Sequence, residues 1–182
     1  SQFKRVPKDY YDQPLEFRRD CLGASHTDYL CKTIVMHNTK CPHEASAEFS
    51  DPYWSKYYMI VIQYNARFNN EKLIAAPSVI CFSGKSGKSK KQFNFRLCPE
   101  EISDKLSGYA HNGVTPLDCA TKLPIVLSDR IPRLSVQPSS EQAFWLGAGE
   151  VDLKWKVSVS DFQRAFSPMV IDITYNDEEG KE

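Results

Sequence analysis

The chain has 182 residues, 41% of them hydrophobic and 25% charged, and its 23 basic and 23 acidic side chains leave no formal net charge. That is the size and composition of one globular domain, able to bury roughly 70% of its unfolded surface without covalent staples. The charge balance argues against a duplex-DNA binder, which would show a basic excess, and no apolar run reaches the roughly 20 residues of a membrane span.

Residues 1–13 are polar and Tyr-rich and read as an arm. Residues 14–23 predict a short helix, with Pro14 at its start, Leu15 and Leu22 on its apolar side and Gly23 at its stop. The β-branched, apolar stretch 29–36 predicts a strand, and 37–51 a polar connection. Residues 57–64 predict a second, central strand. Asn69 or Asn70 caps a short helix through Ala75 that Pro77 stops, and 79–82 has the composition of a strand. Residues 83–91 form a basic loop, 93–97 alternate like a strand, and Pro99 opens a helix ending at Gly108. Residues 123–127 predict a strand followed by a turn at 128–130. Two more strands, 143–146 and 151–157, flank the Gly147-Ala148-Gly149 turn. Ser158 or Ser160 caps a helix containing Phe162 and Phe166, 169–175 is the last strand, and 176–182 is an acidic tail. Helices and strands are interspersed and several strands are joined by short turns. The expected class is therefore α+β, a single domain (14–175) with a mixed, mostly antiparallel sheet flanked by short helices.

Two local patterns mislead. Gly84-Lys85-Ser86-Gly87-Lys88-Ser89 resembles the end of a phosphate-binding loop, but Phe82 stands where that motif needs its first glycine. The loop is then either a solvated basic segment or, through Lys85, Lys88, Lys90 and Lys91, a grip for an RNA backbone. His37, Cys41 and His43 are close in sequence yet lack a fourth ligand and a second tight pair, so no metal and no cofactor is expected. The six cysteines, at 21, 31, 41, 81, 98 and 119, form no CxxC pair. A core of this size needs no disulfides, so they read as reduced thiols of a cytoplasmic protein. No signal-peptide pattern opens the chain, although it begins at Ser1 without an initiator Met, as an excised domain would.

Two features carry chemistry. On a strand, Leu30, Lys32, Ile34 and Met36 share a face, so Lys32 puts a cation on an otherwise apolar surface. Desolvating an ammonium is costly, and the long stem can also snorkel to solvent or find a carboxylate. The second feature is Ser107-Gly108-Tyr109-Ala110-His111-Asn112-Gly113-Val114-Thr115-Pro116, where glycine lets backbone approach a ligand and proline stiffens the exit. Such a loop can present main-chain groups to a polar substrate, or be an ordinary turn.

Taken in order, three segments resemble the successive signatures of the YbaK/ProX-type aminoacyl-tRNA editing deacylases, relatives of the prolyl-tRNA synthetase insertion domain. They are Cys31-Lys32-Thr33-Ile34-Val35, the 107–116 loop, and Leu123-Pro124-Ile125-Val126-Leu127-Ser128-Asp129. The segment Phe144-Trp145-Leu146-Gly147-Ala148-Gly149, with the helix after Val157, is similar to that family's closing strand, glycine turn and final helix. The resemblance runs from about Asp20 to Ile173. It implies hydrolysis of the ester of tRNA mischarged with a small amino acid such as Ala, Ser or Cys, in the service of translation fidelity. It also implies the tRNA acceptor end as partner, with a synthetase or multi-synthetase complex as a further one, and neither DNA nor membrane. By the same resemblance Lys32 is the central side chain, associated with the charged terminal adenosine, and the loop around Gly113 lies beside the scissile ester. Asn112, Pro116, Gly147, Ala148, Gly149 and His111 are then the substrate-binding positions. Asn112 replaces the first glycine of the family's Gly-x-x-x-Pro loop, although asparagine tolerates left-handed backbone. A catalytically weak module that binds tRNA ends or docks a synthetase complex is the alternative.

Overall fold

The computed structural model describes residues 1–42, 51–75, 82–134 and 142–175. Within them the α+β expectation holds, with eight strands and six short helices. Five strands form a mixed sheet in the order β4 (Phe95–Leu97), β2 (Cys31–Asn38), β3 (Tyr57–Gln63), β5 (Ile125–Ser128), β8 (Met169–Ile171). The pairs β4·β2 and β2·β3 are antiparallel, whereas β3·β5 and β5·β8 are parallel. A second, antiparallel sheet has the order β1 (Gln2–Arg5), β7 (Leu153–Ser158), β6 (Ala143–Gly147). A parallel bridge between Leu30 and Trp145 ties this sheet to the start of β2.

The elements follow from local chemistry. Every residue of β3 is buried, as a strand with apolar layers on both faces requires. Helix α1 (Leu15–Leu22) ends on Gly23 at φ 69°, and α4 (Glu100–Ser107) on Gly108 at φ 81°, both left-handed caps. Helices α2 (Asn70–Ala75) and α3 (Phe82–Ser86) precede α4, and α5 (Arg130–Leu134) and α6 (Val159–Phe166) follow it. The Ser158 hydroxyl accepts from the Asp161 amide and starts α6, which places Phe162 against Phe144 and Trp155 between the sheets. On the other face of the five-stranded sheet, Tyr58, Ile60, Ile62 and Leu73 form a second apolar layer.

Several boundaries differ from those expected. Residues 1–13 are built into the domain: β1 pairs along β7, and Val6 and Tyr10 are buried against Leu22 and Trp145. The basic stretch 83–91 carries most of α3 and a 3-10 turn at Lys90–Gln92. The turn expected at 128–130 leads directly into α5. Of the strand expected at 79–82 only Phe82 is described, and it opens α3; His43, Cys81 and the tail 176–182 lie outside the described residues. Among the described residues Cys21, Cys31, Cys41, Cys98 and Cys119 form no disulfide. Among the described residues no helix is long and apolar enough to cross a membrane, and no group of three His, Cys, Asp or Glu could hold a metal.

Candidate functional site

Strand β4 pairs with Met36, His37 and Asn38 of β2, so among the described residues the first half of β2 has no strand beside it on that side. A cavity of about 450 Å3 lies there. Lys32, Thr33, Ile34 and Val35 all line it, which one face of a strand cannot do, so the cavity runs along the strand's edge. Its other walls are α4, the 109–114 loop, Gly147 at the end of β6, and the rings of Tyr11 and Tyr64. The place is fixed by the Leu30–Trp145 bridge, which brings the start of β2 beside β6.

Lys32 is half-buried, and burial lowers its pKa from the usual 10.5. Its Nζ lies 5.7 Å from the centre of the Tyr64 ring, and among the described residues no carboxylate forms an ion pair with it. Beside it Thr33 is only 8% exposed, and its buried Oγ1 has no hydrogen-bond partner among the described residues. Glu100, Ser103 and Asp104 of α4 also line the cavity and supply negative charge and a hydroxyl. Cys98 also lines the cavity, with its pKa pushed up to about 11 by burial, so the group is a thiol rather than a nucleophilic thiolate at neutral pH.

The loop is braced internally. Tyr109 donates from its hydroxyl to the Leu117 carbonyl (2.6 Å), and Cys119 Sγ to the Thr115 carbonyl (2.9 Å). Asn112 is left-handed at φ 66°, the conformation that its residue type tolerates. Gly113 has no room for a side chain: a Cβ there would lie 2.8 Å from the Gly149 carbonyl oxygen. Gly149, at φ 92°, is equally closed, since a Cβ would meet the Tyr109 ring at 2.8 Å. These contacts lock the 110–114 turn against the end of β6.

The amides around Gly113 and Gly149 that could hold a substrate carbonyl are already used. Gly113 N–H donates to the Ala110 carbonyl (2.9 Å), Gly149 N–H to the Gly113 carbonyl (3.0 Å), and Ala148 N–H to the Leu153 carbonyl (3.2 Å). An oxyanion hole built from these three N–H groups does not exist in this conformation.

Of the positions singled out in sequence, Lys32, His111, Asn112 and Gly147 line the cavity. Gly113 and Gly149 lie directly behind that wall, and Pro116 is buried beneath the loop. None of Lys85, Lys88, Lys90 and Lys91 lines the cavity, and Lys88 lies over the Trp54 ring at 5.2 Å. Sequence reasoning missed Tyr11, Thr33, Tyr64, Glu100 and Asp104 as cavity residues, and also Lys154. Lys154 is 3% exposed and donates to the Tyr11 hydroxyl and the Val151 carbonyl, each at 2.8 Å. A lysine in a strand was the signal available for it, but Lys154 alternates with Leu153 and Trp155 just as a solvent-facing residue would.

No protein-family model and no curated protein matches the chain by sequence. Solved structures do match. One is described as a candidate trans-editing enzyme for prolyl-tRNA synthetase, with 14% identity over 96% of this chain and 87% of that one, at a TM-score of 0.67. A second, the hypothetical protein APE2540, has 17% identity over 96% of this chain and 91% of that one, at a TM-score of 0.62. A third, from work on grafting linear epitopes onto scaffold proteins, has 14% identity, covers 96% and 86%, and has a TM-score of 0.65. What the chain has in common with these structures is the fold, from end to end of the domain.

Proposed function

We propose that this protein hydrolyses the aminoacyl ester of tRNA mischarged with a small amino acid such as Ala, Ser or Cys. The observation that carries the reading is Lys32: a half-buried ammonium without a carboxylate partner among the described residues, on the wall of a cavity that Glu100 and Asp104 of α4 also line. A charged tRNA end has the complementary pattern, with phosphate and ester oxygens at one end and an α-ammonium at the other. Lys32 receives the oxygens, while Asp104 and Glu100 receive the ammonium. The fold shared with a candidate trans-editing enzyme supports the same reading.

In the reaction a water oxygen attacks the ester carbonyl carbon, the bond to the terminal ribose oxygen breaks, and that oxygen takes up a proton. The ester is labile, so position and charge stabilisation suffice. Cys98 remains a thiol, which favours direct attack by water over a covalent intermediate. The positive charge of Lys32 takes the part that the committed amides of Gly113, Ala148 and Gly149 cannot. His111 lines the cavity and is the side chain within the turn that could relay a proton. A small cavity selects small amino acids by exclusion, which a synthetic site separates by only about 1–3 kcal/mol per methylene.

The commitment of those amides also favours a second reading, a module that holds the acceptor end of tRNA, or docks to a synthetase, and turns over poorly. Deacylation of tRNAs charged with alanine, serine, cysteine and proline separates the two. Turnover of one or more mischarged species supports the hydrolase; tight binding of all with no turnover by folded protein supports the binding module.

A further inference from the structure

Lys154 is an unusual residue to bury. Its ammonium has a backbone carbonyl and a phenol as hydrogen-bond partners and lies over the rings of Tyr10 and Tyr11, 5.3 and 4.6 Å from their centres. The nearest carboxylate in sequence, Asp152, is hydrogen-bonded to Arg5. Packing alone would be served by an apolar side chain of similar length, without the desolvation cost. What the ammonium does is share the Tyr11 oxygen with the Tyr64 side chain, which is also hydrogen-bonded to it.

With that oxygen accepting from Lys154, the Tyr11 hydroxyl hydrogen points to the Asn112 carbonyl, 2.9 Å away. The main chain of Tyr11 is also held, because Arg18 of α1 donates to the Tyr11 carbonyl (2.6 Å) and the Gln13 carbonyl (2.9 Å). The guanidinium of Arg18 lies 5.4 to 5.6 Å from the ring centres of Tyr10, Tyr11 and Tyr64. Asn112 is the left-handed residue on which the 110–114 turn depends, and Tyr11 itself lines the cavity. The amino-terminal segment thus reaches across 101 residues of sequence to a single carbonyl at the rim of the site.

We propose that Tyr11, held by the buried ammonium of Lys154, is a positioning residue for this site: its hydroxyl fixes the Asn112 carbonyl and with it the 110–114 turn opposite Lys32. The proposal rests on the hydrolytic reading of the cavity for its consequence in turnover, but its structural content can be tested without any substrate. Tyr11→Phe keeps the ring and removes the hydroxyl. Lys154→Met removes the ammonium that orients it.

The experiment measures amide hydrogen exchange in both variants and, separately, steady-state deacylation. The Gly113 and Gly149 amides, donors to Ala110 and Gly113 in the locked turn, are expected to exchange about tenfold faster in Tyr11→Phe, with the amides of β3 unchanged. Lys154→Met is expected to give the same pattern, and the double variant no further increase. Turnover in Tyr11→Phe falls about 10- to 100-fold in kcat with KM within about threefold, because a misplaced turn harms the transition state more than binding. Wild-type exchange rates at Gly113 and Gly149 in Tyr11→Phe would overturn the proposal, and this variant decides it even where Lys154→Met does not fold. Faster exchange with kcat unchanged overturns the role in the reaction. If the wild type hydrolyses no charged tRNA, it is the hydrolytic reading that fails, while faster exchange still establishes the tether.

Discussion

Two lysines in this molecule are kept out of water for opposite ends. Lys32 is half-buried with a ligand-sized space beside it, and Lys154 is buried with its partners already in place. The pKa of Lys154 is lowered to about 8, chiefly by burial, with Asp152 opposing the shift and Arg18 adding to it; Tyr10 and Tyr11 are the other groups that face it. The folded-state value lies below the unfolded value of 10.5, so the unfolded chain binds more protons between the two, and the penalty for burying the charge is relieved as pH rises. From about pH 7.5 to about 9.5, below the titration of the tyrosines, wild type should therefore gain about 1–2 kcal/mol of stability relative to Lys154→Met. Urea unfolding at several pH values measures it, and a constant difference would contradict the assignment. Asn112 gives a second prediction at this scale. At φ 66°, Asn112→Ala should cost about 1–2 kcal/mol and Asn112→Gly almost nothing, as read from urea midpoints. Of these residues, Lys32 was legible as a charge within an apolar strand. Lys154 was not, because its burial comes from tyrosines 143 and 144 positions away in the chain.

Elements whose own sequence carries a physical signature were legible. The apolar run of β3, the proline and glycine that bound α1 and α4, and the serine that caps α6 each act within a few residues of themselves. Strand β1 was not legible because all four of its residues are exposed, with no burial alternation, and it is held by main-chain pairing to β7. Helix α5 contains Pro132 and spans only Arg130–Leu134, too short for a period to show. The amino-terminal segment behind β1 is nevertheless a working part of the fold, since Val6 and Tyr10 are buried in it and Tyr11 reaches the site. Removing residues 1–13 should lower stability by about 3–6 kcal/mol, from the two buried side chains alone. It should also abolish turnover, whereas an arm without contacts would leave both unchanged in denaturant titration and deacylation assays.

At the scale of the molecule, the cavity exists because two sheets meet: among the described residues β2 lacks a strand neighbour where β6 and the 109–114 loop arrive. Nothing in the local sequence of β2 announces that junction, which is why the strand and its lysine could be read and the wall of α4 could not. The lysines at 85, 88, 90 and 91 lie off the cavity, and we propose for them a grip on RNA backbone. Replacing all four with alanine should weaken tRNA binding and lower the slope of log affinity against log salt by about 0.7 for each phosphate no longer neutralised, with kcat unchanged. An unaltered salt slope would make the segment a solvated surface.

The account as a whole depends on Lys32 meeting a charged tRNA end. Single-turnover deacylation of tRNA mischarged with alanine, serine or cysteine, compared between wild type and Lys32→Ala at matched folded concentration, tests that most directly. The account predicts hydrolysis of at least one of these by wild type and a fall of at least about 100-fold in the variant. Equal rates in the two proteins would contradict it, because the cation would then have no part in the chemistry that the cavity was assigned.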